Sequence, residues 1–590
     1  MKTKFLVLII FAVCTAYFAA AGTNTKNSSA SDSVPKVNVK LPFTKGLNLS
    51  NWLEPFGYGN SASYYFGKQD FEDIKSLGVE VVRIPIHFEA WNKGKPDYVV
   101  EDWLWEKLDN AVAWCTELKM YIIIDFHNDC NGSSKTNPDI EKILLKIWPQ
   151  IAERYKNSGE YVIYEIMNEP HFSSGNLSSD IAKWNKIQGN VLKAIRAIDT
   201  KHTVIVGGAD WDSLDTMLKL PDYKDDNLIY NFHDYTPFLF THQGASWTHT
   251  KRLMKIPFPY VKEKMPPRPA NLTSQEKAEL DNYPKAASGD TLVAPLNKAV
   301  EFANSRNVAL MCNEYGVLMD FADNTERTNW YRLKAKWMEE RNIIRVSWDY
   351  RNSFGIFTNS SMSPLKARFP EDLNTELIEG MGFKIPAQKT RARKTWLDVA
   401  KQKGDFTIYK NGFADKIFLE GWMNDSDPIH KNIKLVKKDS EKENSYIYIP
   451  SADAWNGIKI NFGGTCDMSQ LVSQNATLEF EVKTKQKGLN LRVYFNDEQV
   501  LVAGENGYPW RCATDVTNSQ VPADGQWHKI SIPLKSMWTY GTNVEEKPGV
   551  YKWYNDTKKL FSWQKVEALT FEFSDKPLTE EICIRDIRIK

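Results

Sequence analysis

The sequence predicts an α/β fold, a (β/α)8 TIM barrel, followed by a smaller all-β sandwich of jelly-roll-like pattern. Three observations carry this. Between positions 37 and 402, eight short apolar runs alternate with amphipathic helical stretches. After about Lys403 the helical period gives way to short alternating runs, separated by turn residues such as Asn411-Gly412 and Gly463-Gly464. At 590 residues the chain is also too long for one ordinary core. An open doubly wound sheet competes for the first part, but no Gly-rich phosphate loop follows any strand candidate.

The strand candidates are Lys45–Ser50, Val79–Ile86, Met120–Phe126, Tyr161–Met167, Thr203–Gly207, Leu228–Phe232, Val308–Cys312 and Ile343–Trp348. Runs this apolar read as strands buried on both faces. The fourth has the clearest end: it stops in Asn168-Glu169-Pro170, and a proline cannot donate to a ladder. Helical patterns lie between, at Gln69–Leu77, Glu101–Leu118, Pro138–Lys156, Asp180–Ile198, Leu292–Asn304 and Thr328–Arg341. From Asp180, for instance, Ile181, Trp184, Ile187, Val191, Leu192 and Ile195 recur on one face. The stretch Phe240 to Asn297 breaks the alternation. It is rich in Pro, Lys and aromatics, and a loop that long reads as a substrate-side insertion. In the second part, nine alternating runs from Thr407–Lys410 to Ile582–Ile589 read as an antiparallel sandwich over 405–590.

Lys2 and Lys4 precede the apolar run Phe5 to Ala21, and Ala19-Ala20-Ala21 offers a small-residue cleavage site. This reads as a signal peptide over 1–21, with an uncleaved anchor as the alternative. The Ser-, Thr- and Asn-rich segment 22–36 reads as a disordered linker. The expectation is a secreted, periplasmic or cell-surface protein acting as a monomer. With 75 basic and 74 acidic residues, nothing predicts an electrostatic hold on nucleic acid or, after signal cleavage, on a membrane. Six Cys follow the signal segment without a CxxC pair or a Cys/His cluster of zinc spacing, so no metal site is expected from them. Disulfides and buried free thiols are both open.

Polar and aromatic groups recur at the strand ends. In order they are Asn48 to Trp52, Arg83 with His87, Asp125 to Asn128, Asn168-Glu169, Trp211, His233-Asp234-Tyr235, Asn313-Glu314-Tyr315-Gly316 and Trp348. In a barrel these all fall on the carboxyl rim, where such folds keep their chemistry. Two carboxylates stand out, Glu169 and Glu314. Glycoside hydrolysis needs such a pair, one to protonate the leaving oxygen and one to attack the anomeric carbon or activate water. Glu165, inside the fourth run, is a third carboxylate and is expected to pair with a cation.

Residues Lys45 to about Trp348 resemble a glycoside hydrolase family 5 catalytic domain of the cellulase type. The matching motifs are Arg83-Ile84-Pro85, Phe126-His127-Asn128, Asn168-Glu169-Pro170, His233-Asp234-Tyr235, Phe240 to Trp247 and Asn313-Glu314-Tyr315-Gly316. The resemblance implies that Glu169 is the general acid/base and Glu314 the nucleophile. It implies that Arg83 keeps Glu314 ionised and oriented, and that Asn168 bonds the sugar 2-hydroxyl. His127, His233 and Tyr235 would line the subsite at the cleaved bond, with Trp348 as its stacking floor. Two carboxylates this close do not ionise together readily, so Arg83 would leave Glu169 protonated while Glu314 is charged. Trp52, Trp91, Trp211 and Trp247, after strands one, two, five and six, are read as further sugar-stacking residues.

The sandwich loosely resembles carbohydrate-binding jelly rolls, with Trp422, Trp455, Tyr508, Trp510, Trp538 and Trp553 in or beside loops. A purely structural buttress is the alternative. No cofactor is required for the chemistry; a structural calcium ion in the sandwich is compatible with the resemblance, without a readable ligand set. The reading is a retaining endo-β-glycanase acting on β-1,4-glucan, with a polysaccharide as its partner. Mannan, xyloglucan and β-1,3-glucan enzymes share the motif set, and a non-catalytic polysaccharide-binding protein is the rival from another class.

Overall fold

Eight parallel strands close on themselves in the computed structural model: β1 Lys45–Asn48, β2 Val81–Ile86, β3 Tyr121–Phe126, β4 Val162–Glu165, β5 Thr203–Gly207, β6 Leu228–His233, β7 Ala309–Glu314 and β8 Ile344–Ser347. The structure describes residues 34–54, 66–127, 135–358, 368–387, 394–422, 434–437, 445–500, 509–547, 550–555 and 560–590. The signal segment, nearly all of the linker, Cys130 and Tyr508 lie outside them, as does the side chain of Trp422.

The strands are apolar throughout because both faces are covered. Val81, Ile123, Ile163, Ile205, Ile229, Met311 and Ile344 fill the barrel interior. Their neighbours Val82, Ile122, Ile124, Val162, Val204 and Leu310 meet the outer helices. β4 ends two residues before the expected Met167. Pairing continues irregularly, with the Asn168 amide donating to the Phe126 carbonyl at 3.0 Å. Between β6 and β7 the register slips at Phe232/His233, so that His233 stands opposite Glu314. Such a bulge re-aims side chains at a barrel rim.

The expected helices are present. The one after β4, Leu177–Arg196, begins earlier than Asp180 because the Asn176 side chain accepts from the Ser179 amide and caps it. The stretch Phe240–Asn297 differs from the expected loop. It holds a helix at Ser274–Ala286, with a Thr273/Glu276 capping box, and the start of another at Gly289–Arg306. Pro284 and Pro295 lie inside these helices, and the first buries only Glu276, Leu280 and Tyr283, which masks its period.

The second part is antiparallel. Its strands are β9 Thr407–Tyr409, β10 Phe418–Trp422, β11 Lys434–Lys437, β12 Tyr446–Ile449, β13 Gly457–Cys466, β14 Thr477–Thr484, β15 Asn490–Val500, β16 Pro509–Thr517, β17 His528–Pro533, β18 Trp538–Tyr540, β19 Thr542–Lys547, β20 Val550–Tyr554, β21 Val566–Phe573 and β22 Ile582–Ile589. One sheet runs β10-β13-β21-β15-β16-β18, a second β11-β12-β22-β14-β17 with β9 on β22, and β19 and β20 form a two-stranded third. The helix Trp396–Lys403 packs into this core through Trp396, Leu397 and Ala400. This helix begins within the stretch 37–402 read from the sequence as barrel. Cys115, Cys312 and Cys466 are buried free thiols. Among the described residues no helix is long and apolar enough to cross a membrane.

Candidate active site

Arg83 on β2 organises the rim from within. Its side chain is wholly buried. Nε and Nη2 donate to the two oxygens of Glu165 at 2.7 and 2.8 Å, so the cation expected for Glu165 is Arg83. Nη1 reaches Asn48 Oδ1 at 2.9 Å and Glu314 Oε1 at 2.8 Å, and Nη2 reaches Asn168 Oδ1 at 2.8 Å. Asp125 stands 2.9 Å from Nη2. One planar fork thus ties together β1, β2, β3, β4 and β7, which a flexible ammonium could not do.

Glu314, the last residue of β7, accepts from Arg83 on one oxygen and from the Tyr235 hydroxyl on the other, at 2.9 Å. Burial alone would raise its carboxyl, but the charges of His233, Arg83 and His127 and the Tyr235 bond hold it below the usual range. Glu169 lies just past β4. His233 Nδ1 meets its Oε1 at 2.7 Å, and its own amide donates to Asp212 Oδ2 at 2.7 Å. Its φ is +44°, a left-handed backbone for a residue with a side chain. Such positions cost about 1–3 kcal/mol and persist where the surroundings hold them. A carboxylate oxygen of Glu169, one of Glu314 and a ring nitrogen of His233 all lie within 4.8 Å of one another.

Burial disfavours the charged form of His233, but Glu314, Glu169 and Asp212 outweigh it and raise its pKa to about 10. His127 follows the same logic: burial opposes its charge, while Glu54 and Asp125 lift it to about 9. Its Nδ1 meets Asp125 Oδ2 at 2.7 Å and its Nε2 lies 3.4 Å from Glu54 Oε1. Burial pushes Glu54 up to about 7 and Asp125 up to about 6. Trp348 lies parallel to the His127 ring, centroids 5.8 Å apart. Asn168 Nδ2 is 3.4 Å from His127 Nε2. Arg83, His127, Asn168, Glu169, His233, Tyr235 and Glu314, named from strand ends two, three, four, six and seven, are therefore joined by direct contacts, and Trp348 from strand eight lies on His127, while Asn128 lies outside the described residues.

Residues 42–354 match the family described as Cellulase (glycosyl hydrolase family 5). The chain belongs to glycosyl hydrolase family 5. Residues 410–590 match carbohydrate binding domain 30. Among curated relatives, Endoglucanase 3 of Fibrobacter succinogenes is 30% identical over 337 residues, which is 54% of this chain and 51% of that one. The chain thus spans about half the length of that relative. Endoglucanase C of Acetivibrio thermocellus is 28% identical over 345 residues, 55% of this chain and 96% of that one. Among solved structures, endoglucanase Cel5A of Thermotoga maritima is 26% identical, covers 57% of this chain and 96% of its own, and superposes with a TM-score of 0.45.

In this family-5 barrel the four tryptophans read as sugar-stacking divide. Trp52 is 1% exposed and meets Phe66 and Phe71 edge-on, so it is core. Trp91 is also buried, its indole donating to the Leu53 carbonyl at 2.9 Å. Both follow strands, but the chain turns them under the rim. Trp211 and Trp247 are 47% and 66% exposed, and Trp211 lies flat on His171 at 3.5 Å. In the sandwich Trp510 is buried, while Trp455, Trp538 and Trp553 are exposed. Trp538, Tyr540 and Trp553 are successive neighbours at 5.3 Å, and Arg492 and Arg511 cover Tyr540 at 4.6 and 4.2 Å.

Sequence reasoning missed Glu54 and Asp212. The signal for Asp212 is Gly207-Gly208 at the end of β5. A Cβ at Gly207 would stand 2.1 Å from Asp212 Oδ1, so the glycine leaves room for that carboxyl.

Proposed function

We propose that the barrel is a retaining endo-β-1,4-glucanase, with Glu169 as acid/base and Glu314 as nucleophile. The observation that carries this is the placement of the two carboxylates. Oxygens within 4.8 Å agree with the separation of roughly 5–5.5 Å needed for attack on the anomeric carbon, and fall short of the roughly 6.5–9.5 Å that leaves room for a water.

Glu314, ionised against Arg83 and steadied by Tyr235, attacks the anomeric carbon as Glu169 protonates the leaving oxygen. The glycosidic bond breaks and a glycosyl ester forms on Glu314. Its negative charge is then gone. Glu169, now a carboxylate, takes a proton from water as that water displaces Glu314, and the β-configured sugar leaves. Asn168, held by Arg83, meets the 2-hydroxyl; His127 and Trp348 frame the ring. Trp211 and Trp247 leave exposed ring faces on which further sugars of a polymer can stack, which favours internal cleavage. The exposed row Trp538, Tyr540 and Trp553 supports a sugar-binding role for the sandwich rather than a purely structural one.

The secretory N-terminus read from the sequence fits a polymeric substrate outside the cell. Among the described residues only Glu169, His233 and Glu314 converge as three side chains of metal-ligand type. There Arg83 and His233 already supply the positive charge, which disfavours a metallohydrolase.

Incubation with a 2-fluoro-cellobioside followed by mass mapping tests the mechanism. The label is expected on Glu314; a label elsewhere, or α-configured first product by NMR, refutes it. A panel of cellulose, mixed-linkage glucan, xyloglucan, mannan and β-1,3-glucan assigns the substrate, with β-1,4-glucan expected to be cut fastest.

A further inference from the structure

Asp212 is a buried carboxyl that the mechanism above leaves without a task. It closes a turn in which Asp210, Trp211 and Asp212 all have positive φ, at 58°, 61° and 48°. Its Oδ2 accepts the Glu169 amide at 2.7 Å and lies 3.8 Å from His233 Nε2. Among the described residues His233 Nε2 and Asp212 Oδ1 have no hydrogen-bond partner. The imidazole therefore spans two carboxyls, with Nδ1 on Glu169 and Nε2 toward Asp212.

We propose that Asp212 is a positioning residue, which anchors the backbone of Glu169 and faces the far nitrogen of His233 so that both ring nitrogens keep their protons. This inference rests on Glu169 being the acid/base. When Glu169 gives its proton to the leaving oxygen, the Nδ1–H of His233 donates to the new carboxylate, while Nε2–H stays directed at Asp212. When Glu169 recovers a proton from water, the same contacts persist. No proton leaves His233 in either step, so its charge stabilises the carboxylate state of Glu169 each time that state forms.

The groups facing this pair come from four elements. They are Glu165 on β4 and Glu169 beyond it, Asp212 after β5, His233 itself on β6, and Glu314 on β7. Burial raises the Asp212 carboxyl well above the usual carboxylate range, and Glu165 and Glu169 add to the rise, while the charge of His233 and the Glu169 amide oppose it. Asp212 is therefore ionised only as the partner of a protonated His233, each supporting the charged form of the other, and removing the Asp212 carboxylate weakens the hold of His233 on its proton. Trp211, adjacent in the same turn, couples this anchor to the exposed rim through its stack on His171, whose Nδ1 meets the Glu169 carbonyl at 2.7 Å.

Asp212→Asn tests this, because an amide oxygen can still accept from Glu169 while the charge is lost. kcat/KM is measured on aryl β-cellobiosides with a good leaving group (dinitrophenol) and a poor one (phenol). The expected result is a loss of about tenfold on the phenyl substrate, clearly larger than on the dinitrophenyl one, where little proton donation is needed. The alkaline limb on the phenyl substrate should move to lower pH by about half a unit or more. Equal losses on both substrates, or an unmoved limb, overturn the proposal. Independently of any variant, nitrogen NMR of histidine-labelled wild type should show His233 doubly protonated at about pH 8; a singly protonated ring there overturns it. Glu169→Ala is the control: if it too loses equally on both substrates, the acid/base assignment fails, whereas a selective loss there with none in Asp212→Asn defeats only the role of Asp212.

Discussion

Tyr235→Phe isolates one contact of the nucleophile. The phenol oxygen lies 2.9 Å from Glu314 Oε2, and burial together with Glu314 and Glu169 pushes its own pKa up, so it stays a hydroxyl and a donor. Phenylalanine fills the same space, so the ring contacts with His242 and Phe354 survive. What is lost is one hydrogen bond to a buried carboxylate, typically worth about 1.5–3 kcal/mol. At 1.36 kcal/mol per decade this is roughly 12- to 160-fold in rate if the contact is fully realised at the transition state. The sign on pH follows from the same contact. Burial raises Glu314, while His233, Arg83, His127 and the Tyr235 bond bring it below its usual range. Removing that bond raises Glu314, so the acid limb of kcat/KM should move to higher pH. The assay is initial rate on soluble β-glucan from about pH 4 to 8, with calorimetry to confirm a near-unchanged Tm. A variant with wild-type rate and an unmoved acid limb would refute the claim that Tyr235 holds the nucleophile ionised.

Glu314→Gln should abolish hydrolysis of soluble β-glucan while oligosaccharide binding, followed by titration calorimetry, survives. Trp52→Ala should cost about 3–5 kcal/mol of stability, since it empties a core site, whereas Trp211→Ala should leave Tm unchanged and raise KM for long oligosaccharides. Stability should fall as pH rises from about 6.5 toward 9–10, because His127 and His233 have folded pKa values near 9 and 10. Groups with raised folded values favour the fold below their unfolded pKa and lose that contribution through the folded one; a Tm at pH 9.5 no lower than at pH 7 contradicts this. Trp538→Ala with Trp553→Ala should abolish retention on insoluble glucan and spare the rate on soluble substrate.

The alternation of runs from Lys45 to Trp348 made the barrel legible, because strands buried on both faces leave no polar interruption. The carboxyl rim followed from where those runs stop, and Arg83, Asn168, Glu169, His233, Tyr235 and Glu314 meet there. Two kinds of fact stayed hidden. The direction of a side chain beyond a strand end depends on the turn, so Trp52 and Trp211 look alike in sequence, yet one packs on Phe66 and Phe71 while the other stands in solvent. Contacts between distant loops are hidden for the same reason: Asp212 announces itself only by the bare Gly207 it needs.

Register is the deeper limit. Without the slip between Phe232 and His233, the residue opposite His233 would be Asn313 rather than Glu314. A one-residue shift turns every later side chain to the other face of a strand. The imidazole that now sits 2.7 Å from Glu169 and 3.6 Å from Glu314 owes that place to the bulge. No periodicity in the run Leu228 to His233 encodes it, since every residue there is buried. The slip is instead held by bonds outside the regular ladder, between the two strands themselves. Asn231 Oδ1 accepts the Asn313 amide at 3.1 Å, and the Asp234 amide donates to the Glu314 carbonyl at 3.0 Å. These bonds capture the groups that the bulge withdraws from the ladder. Removing the first with Asn231→Ala should therefore impair catalysis through misplacement of His233, and substrate trapping on Glu314 should slow with it.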